Sequence, residues 1–180
     1  LNIKGSVIIG VNISHVVSIS NVDDLPSIII HAPKAINIDI DDVHGRGEFG
    51  DFDGVFNATW NSVKPLQIGN LKMLNLVNSS VGRVNIGDVT EKAEIDNSGT
   101  GNVNVRSIVS REPVSLTISS VGAFVTQKIS CPNLILDVSG TGNVRLGDVN
   151  VPGEIRLQSS SVGTTSIDKL MTTEMSVTMS

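Results

Sequence analysis

The chain has 180 residues and a net charge of −5, and no block of Lys and Arg interleaved with aromatic residues, which excludes a typical nucleic-acid-binding surface. No apolar run approaches the ~18 residues of a membrane-spanning helix. Val and Ile dominate the apolar residues, aromatic residues make up 3%, and Gly, Asn, Ser and Thr are abundant. This composition predicts one all-β domain over residues 1–180, built from many short strands and turns.

The first part of the chain, residues 1–35, predicts an irregular first coil followed by a loop insertion. The stretch VIIGVNISHVVSISNV from Val7 fits the later pattern loosely, and Pro26 and Pro33 interrupt the residues after it. Regular coils are expected over residues 36–180.

A repeat of about 20 residues organises the rest of the chain. A copy from Ile36 fits with one inserted residue near Gly47, and MSVTM from Met175 begins a further copy. Between them, sixteen-residue segments align without a gap at six starts: Phe56, Leu74, Ala93, Val114, Leu134 and Ile155. Such a period predicts coils that bury their single apolar face by stacking, as in a parallel β-helix (β-solenoid) of about 20 residues per coil and about eight coils.

Within each unit the apolar residues alternate with polar ones, as in strands with one buried face. Trp60 shares an inward position with Ile40 and Asn78, which favours a core side chain over a sugar-stacking platform. Asn37, Asn57 and Asn75 share an outward position and predict an amide ladder. One buried column is expected to contain Leu76, Ile95, Leu116, Leu136 and Leu157.

The turn after each alternating run is built from small residues. SGTGNV occurs at Ser98–Val103 and again at Ser139–Val144, and SSVG occupies the alternate copies. Gly is expected there because it adopts positive φ and lets neighbouring corners approach closely. The alternation suggests a duplicated unit of two coils.

The SGTGNV turn after an alternating strand resembles the head domain of putative auto-transporter adhesins, the GIN-domain family, and the similarity covers roughly residues 36–170. The resemblance implies a right-handed, single-stranded parallel β-helix. It also implies a secreted or surface-attached protein with a role in adhesion, whose partner is a cell-surface protein or glycan.

Acidic residues are concentrated in DIDDVHGRGEFGDFDG, from Asp39 to Gly54. Calcium prefers several carboxylate and carbonyl oxygens from a flexible loop, which makes Asp39, Asp41, Asp51 and Asp53 the candidate calcium ligands. Paired acids could also serve a glycosidase or a polysaccharide lyase. The simpler alternative is a solvated acidic face beside a loop insertion.

Other reactive residues form no recognisable constellation. His15, His31 and His44 lie in different predicted coils without zinc-ligand spacing, and Cys131 is alone, so no internal disulfide forms. No nucleophile elbow or dinucleotide-binding loop is present, and no cofactor other than calcium is expected. Sequons place candidate glycosylation sites at Asn12, Asn57 and Asn78, should the protein be secreted from a eukaryotic cell.

Two functions remain open on the sequence. The first is a non-catalytic, extracellular or cell-surface module for adhesion or structural assembly. The second is a carbohydrate-active enzyme, or a calcium-dependent polysaccharide binder, that uses the acidic segment. The unfinished copy at Met175 predicts that the chain continues past Ser180 or that copies meet end to end, because open strand edges recruit partners.

Overall fold

The computed structural model describes the backbone of residues 6–10, 16–22, 27–31, 34–43 and 45–180, and the side chains of residues 34–41 and 45–180. The described residues form strands and turns and no helix. The strands are β1 Ser6–Gly10, β2 Val16–Val22, β3 Ser27–His31, β4 Asn37–Val43, β5 Gly47–Phe49, β6 Val55–Trp60, β7 Leu66–Ile68, β8 Leu71–Asn78, β9 Val84–Asn97, β10 Val103–Val109, β11 Val114–Ile118, β12 Phe124–Ser130, β13 Leu134–Val138, β14 Val144–Ser159 and β15 Thr165–Met179.

The strands pair in parallel with equivalents about 20 residues away and form a β-solenoid of about 7 turns, where the sequence predicted about eight. Its front face consists of β2, β4, β6, β8, β11 and β13 with the later parts of β9, β14 and β15. Its back face consists of β5, β7, β10 and β12 with the earlier parts of β9, β14 and β15. The predicted parallel β-helix is confirmed.

The core is a stack of inward side chains, one layer per coil. The predicted leucine and isoleucine column is confirmed, since Leu76 pairs with Ile95, Leu116 with Ile95 and Leu136, and Leu136 with Leu157. Leu116 and Leu136 have no exposed surface. Each such side chain contributes about 1.5–3 kcal/mol by leaving water. Because the layers coincide with the coils, every coil needs its neighbours to bury its apolar face.

The corner between the front and back faces explains why SGTG and SSVG recur. A Cβ on Gly101 would lie 2.1 Å from the carbonyl oxygen of Gly82, and a Cβ on Gly122 would lie 2.3 Å from that of Gly101. Gly142 and Gly163 continue the same stack, at 2.1 and 2.0 Å. None of these glycines has φ in the left-handed region, so the expectation of positive φ was wrong. Close approach of successive corners is the reason for glycine.

The alternation of the two corner sequences follows from the same contact. Ser80 and Ser120 lie inside the corner. The hydroxyl of Ser80 donates to the carbonyl oxygen of Gly82 at 3.2 Å, and that of Ser120 to the carbonyl oxygen of Gly122 at 3.0 Å. Gly99 and Gly140 stack on these serines, and a Cβ on them would lie 2.3 and 1.9 Å from the serine carbonyl oxygens. A serine at this corner position in one coil is therefore followed by a glycine at the same position in the next coil.

The register of the first coils differs from the prediction. Ile38, and not Ile36, pairs with Phe56, and Val17, and not Val7, pairs with Ile38. A bulge between Asp41 and Val43 adds a residue to this strand. Within residues 1–35, β1 pairs only with β3 among the described strands, whereas β2 pairs with β4 in the main sheet.

Trp60 is a core residue, as predicted, with 1% of its surface exposed. It pairs with Asn78, as expected, and with Val43 across the bulge, whereas Ile40 pairs with Ala58. A role for Trp60 as a sugar platform is therefore excluded by its burial.

The last strand, β15, pairs with β14 alone among the described strands. Its side chains continue the core columns and are partly uncovered: Leu170 is 39% exposed and Val177 46%. The described residues contain no helix of the length and apolarity that a membrane crossing requires.

Candidate functional site

The outward surface of the front face carries two polar columns, which strand alternation and parallel pairing hold in register. Partners in the first column are Asp39, Asn57, Asn75 and Glu94. Partners in the second column are Asp41, Thr59, Val77 and Asp96. Successive members of a column stand ~4.8 Å apart along the solenoid axis, and the two columns are separated by two residues of strand, ~6.8 Å.

The first column forms an amide ladder. Asn57 donates from Nδ2 to Oδ1 of Asp39 at 2.6 Å, and Asn75 donates from Nδ2 to Oδ1 of Asn57 at 2.7 Å. Asp39 occupies the position that the sequence assigned to Asn37, because the true register is shifted by two residues. The side chain of Asn37 instead accepts a bond from the backbone N–H of Val55 at 3.0 Å.

The direction of the ladder is set by its acidic end. A carboxylate can only accept, so each amide directs its NH₂ group toward Asp39 and its oxygen away from it. The last oxygen, Oδ1 of Asn75, is buried and has no hydrogen-bond partner among the described residues. This oxygen lies on the side of Glu94, whose carboxylate oxygens can also only accept hydrogen bonds.

These columns line a shallow, open groove with a volume of about 670 Å³. The lining residues are Asp39, Ile40, Asp41, Asn57, Ala58, Thr59, Asn75, Leu76, Val77, Glu94 and Asp96. Two pairs of carboxylates stand at the two ends of the groove, with amides, a hydroxyl and one valine between them. The two pairs are three coils apart, and at the usual spacing of parallel strands this places them about 14 Å from each other.

The groove is negatively charged, and no described basic side chain neutralises it. None of its four carboxylates forms an ion pair with a described basic side chain. Some acids elsewhere on the described coils are paired, as Asp88 is with Arg106 at 2.6 Å and Asp168 with Arg145 at 2.9 Å. Asp41, Glu94 and Asp96 are exposed and Asp39 is half-buried, so the groove presents this charge to solvent.

The candidate calcium ligands are divided between two places. Asp39 and Asp41 line the groove, whereas Asp51 and Asp53 lie in the turn between β5 and β6 and are not among its lining residues. Oδ1 of Asp51 accepts a bond from the backbone N–H of Asn70 at 2.8 Å. Among the described residues, no three His, Cys, Asp or Glu side chains come together in a way that could hold a metal ion. Calcium binding stays a prediction without an assembled ligand set to support it.

The three candidate glycosylation sites differ in how accessible their side chains are. Asn78 has no exposed surface, and its Nδ2 donates to Oδ1 of Asn97 at 2.7 Å inside the core, so a glycan cannot be carried there in this fold. Asn57 is half-buried and its Nδ2 is engaged with Asp39. Asn12 and two of the histidines, His15 and His44, lie outside the described residues, and so does the side chain of His31.

A second polar cluster, at a bend of the back face, has a structural role. Arg106 donates to both oxygens of Asp88, from Nε at 2.7 Å and from a terminal nitrogen at 2.6 Å, and also to Oδ1 of Asn70. The hydrogen bonds from Arg106, with one from Ser107, hold the pKa of Asp88 below its ordinary value despite partial burial. These contacts tie three successive coils together at one bend.

Cys131 is a buried thiol that offers no reactive site. It is 3% exposed, and burial raises its pKa to about 11, with a small opposing effect from a backbone hydrogen bond. A thiol of this kind is almost wholly protonated at neutral pH, and the thiolate is the reactive form.

Sequence reasoning missed Glu94 and Asp96 as members of the site. Both alternate with inward residues in AEIDN, as Asp39 and Asp41 do in INIDID. This shared acidic alternation was the available signal, but it points to a site only when the stacking register is known.

Comparison with known proteins identifies no relative: no protein-family model, no curated protein and no solved structure matches the chain.

Proposed function

We propose that this chain is a non-catalytic β-helix module that binds an extended ligand along its front face, in adhesion or in structural assembly. The observation that carries the proposal is the front-face groove. It is open to solvent and spans four stacked coils, which hold its polar columns in register at the spacing of the coils. A rigid surface of this kind suits a linear ligand better than a compact one.

The exposure of the groove carboxylates supports a binding role over a catalytic one. A glycosidase needs one carboxyl group that stays protonated, which usually requires burial in an apolar pocket. Asp41, Glu94 and Asp96 are exposed on an open face, where no such burial acts on them.

The expected location is extracellular or at a cell surface, and the expected partner is a cell-surface protein or a glycan. The resemblance of the SGTGNV corner to the adhesin head GIN-domain family supports both expectations. Assembly of copies end to end is a related proposal, which the partly exposed core side chains of β15, such as Val177, support.

One observation favours the carbohydrate-active enzyme as a second candidate. Asp39 and Asp41 line the same groove and point outward from one strand, so two carboxylates flank a single ligand path. A calcium-dependent polysaccharide binder would use the same two residues with a metal bridging them to the ligand.

A retention assay with product analysis distinguishes these candidates. The protein is passed over immobilised neutral, anionic and cationic polysaccharides, with calcium or with chelator, and the eluates are assayed for new reducing ends and for unsaturated products. The proposal predicts retention on at least one polysaccharide or on intact cells, independent of calcium and without cleavage. Cleavage that Asp41→Asn abolishes would establish the enzyme instead, and failure to be retained on any polysaccharide or on intact cells would contradict the adhesion proposal.

A further inference from the structure

The front-face groove presents mainly hydrogen-bond acceptors. Its four carboxylates contribute the acceptor oxygens that face solvent. The NH₂ groups of Asn57 and Asn75 each use one of their two N–H donors within the ladder. Thr59 is the one hydroxyl-bearing side chain among the described residues of the lining. A ligand that matches this surface must itself be rich in donors.

The charge of the groove narrows the class of ligand further. The described part of the lining contains four acidic and no basic residues, and the four carboxylates have no described basic partner. An anionic polymer would be repelled, and a neutral one would leave these charges uncompensated. Positive charge on the ligand is the complement, with two carboxylates placed to receive it at each end of the groove.

The geometry of the groove favours a linear polymer with one unit per coil. Asp39, Asn57, Asn75 and Glu94 follow the axis in steps of ~4.8 Å, which is close to the length of one pyranose in an extended glycan. Val77 is 49% exposed in the second column and offers the groove an apolar contact for the C–H face of a sugar ring.

A basic peptide would match the charge but not the backbone chemistry. The groove lies across the middle of the sheet, where the strands β6 and β8 are already paired on both sides. An extended peptide there could not add to the sheet by β-augmentation, so its own N–H and C=O groups would gain no strand partner. A glycan has hydroxyl donors along its whole length and needs no such pairing.

From these observations we propose that the groove binds a cationic glycan, namely an extended chain of amino sugars with free ammonium groups. Its ammonium groups meet Asp39 and Asp41 at one end and Glu94 and Asp96 at the other, about 14 Å apart. This inference rests on the proposed binding function and names the substrate class for the same site.

The test is calorimetric titration of the full chain with three probes of equal length: fully deacetylated glucosamine hexamer, its N-acetylated counterpart and hexalysine. The proposal predicts that the glucosamine hexamer binds at least about tenfold more tightly than either of the others, and that its binding weakens as salt is raised. The double variant Glu94→Gln, Asp96→Asn is expected to lose about fivefold or more in affinity. Asp148→Asn, which removes an exposed acid on the back face, serves as the matched control and should change the affinity by less than about twofold.

Each contrary result has a distinct meaning. Equal binding of the N-acetylated hexamer overturns the requirement for positive charge, and tighter binding of hexalysine overturns the choice of a glycan. Equal losses in the groove and control variants show that the groove is not the site. If neither sugar hexamer binds but other polysaccharides still retain the protein, this inference fails while the adhesion proposal stands. If nothing retains the protein, both fail.

Discussion

Replacing Gly142 with alanine tests the corner stack that sets the spacing of the coils. The new Cβ would lie 2.1 Å from the carbonyl oxygen of Gly122 and 2.8 Å from that of Val121, whereas an ordinary contact begins at 3.4 Å. One of the two corners must therefore move by more than an ångström. That movement also strains the hydrogen bond from the N–H of Gly142 to the oxygen of Ser120, now 3.0 Å long.

The magnitude follows from two contributions. Overpacking in a close contact costs about 1–3 kcal/mol, and a weakened backbone hydrogen bond costs about 1 kcal/mol more. We expect Gly142→Ala to lower the free energy of unfolding by about 2–4 kcal/mol. At roughly 2–4 °C per kcal/mol for a chain of this size, the midpoint of thermal unfolding falls by at least about 4 °C.

Gly50 provides the matched control, since a Cβ there meets nothing within 4 Å. Gly50→Ala should leave stability within about 0.5 kcal/mol or raise it slightly, because alanine restricts the unfolded chain. Urea denaturation followed by circular dichroism measures both variants. Equal effects of the two substitutions would refute close approach as the reason for glycine at the corner.

Three further predictions concern the core, a bend of the back face and the buried thiol. Leu136→Ala removes a fully buried side chain of the central column and should cost ~2–5 kcal/mol; an unchanged denaturation midpoint would show that the column is wrongly assigned. Arg106→Gln removes the partner that lowers the pKa of Asp88, so the variant should be slightly less stable than the wild type at neutral pH. Because the pKa of Asp88 is lower in the folded than in the unfolded chain, its carboxylate stabilises the fold at pH values above the unfolded pKa near 4. The difference in stability between variant and wild type should therefore shrink as the pH falls below about 4. A difference that grows at acid pH would contradict the assignment. Cys131 should react with iodoacetamide at pH 8 far more slowly in the folded protein than in urea, and equal rates would show that it is not buried.

The regular coils could be predicted because their signals are local and repeated. Alternation at period two identifies which side chains point inward, and the recurring corner fixes where each coil turns. From Phe56 onward both signals agree, and the column through Leu116 and Leu136 follows from them directly.

The register of the first coils could not be predicted from alternation alone. A shift of two residues keeps every side chain on the same face, so the pattern fits equally well when Ile36 or Ile38 is aligned with Phe56. The bulge after Asp41 also interrupts the alternation of this strand, so the pattern no longer indicates which residues pair. For that reason an asparagine was expected where Asp39 lies in the ladder.

Predicting the groove would have required this register and the stacking of coils from distant parts of the chain. Asp39 and Asp41 were expected to act with Asp51 and Asp53, their neighbours in sequence. A coil of about 20 residues instead carries the chain around the solenoid, so residues close in sequence lie on different faces. Glu94 and Asp96 come to the groove from three coils further along the chain.

The most direct test of the front-face groove as the binding surface is an NMR titration of the ¹⁵N-labelled chain with fully deacetylated glucosamine hexamer, observing the side-chain amide resonances. We predict that the NH₂ resonances of Asn57 and Asn75 shift in a saturable way, because both groups line the groove. Those of Asn97, which is fully buried in the core, should remain in place. Saturable shifts confined to the back face or to the corner, with Asn57 and Asn75 unchanged, would contradict the assignment of the groove as the binding surface.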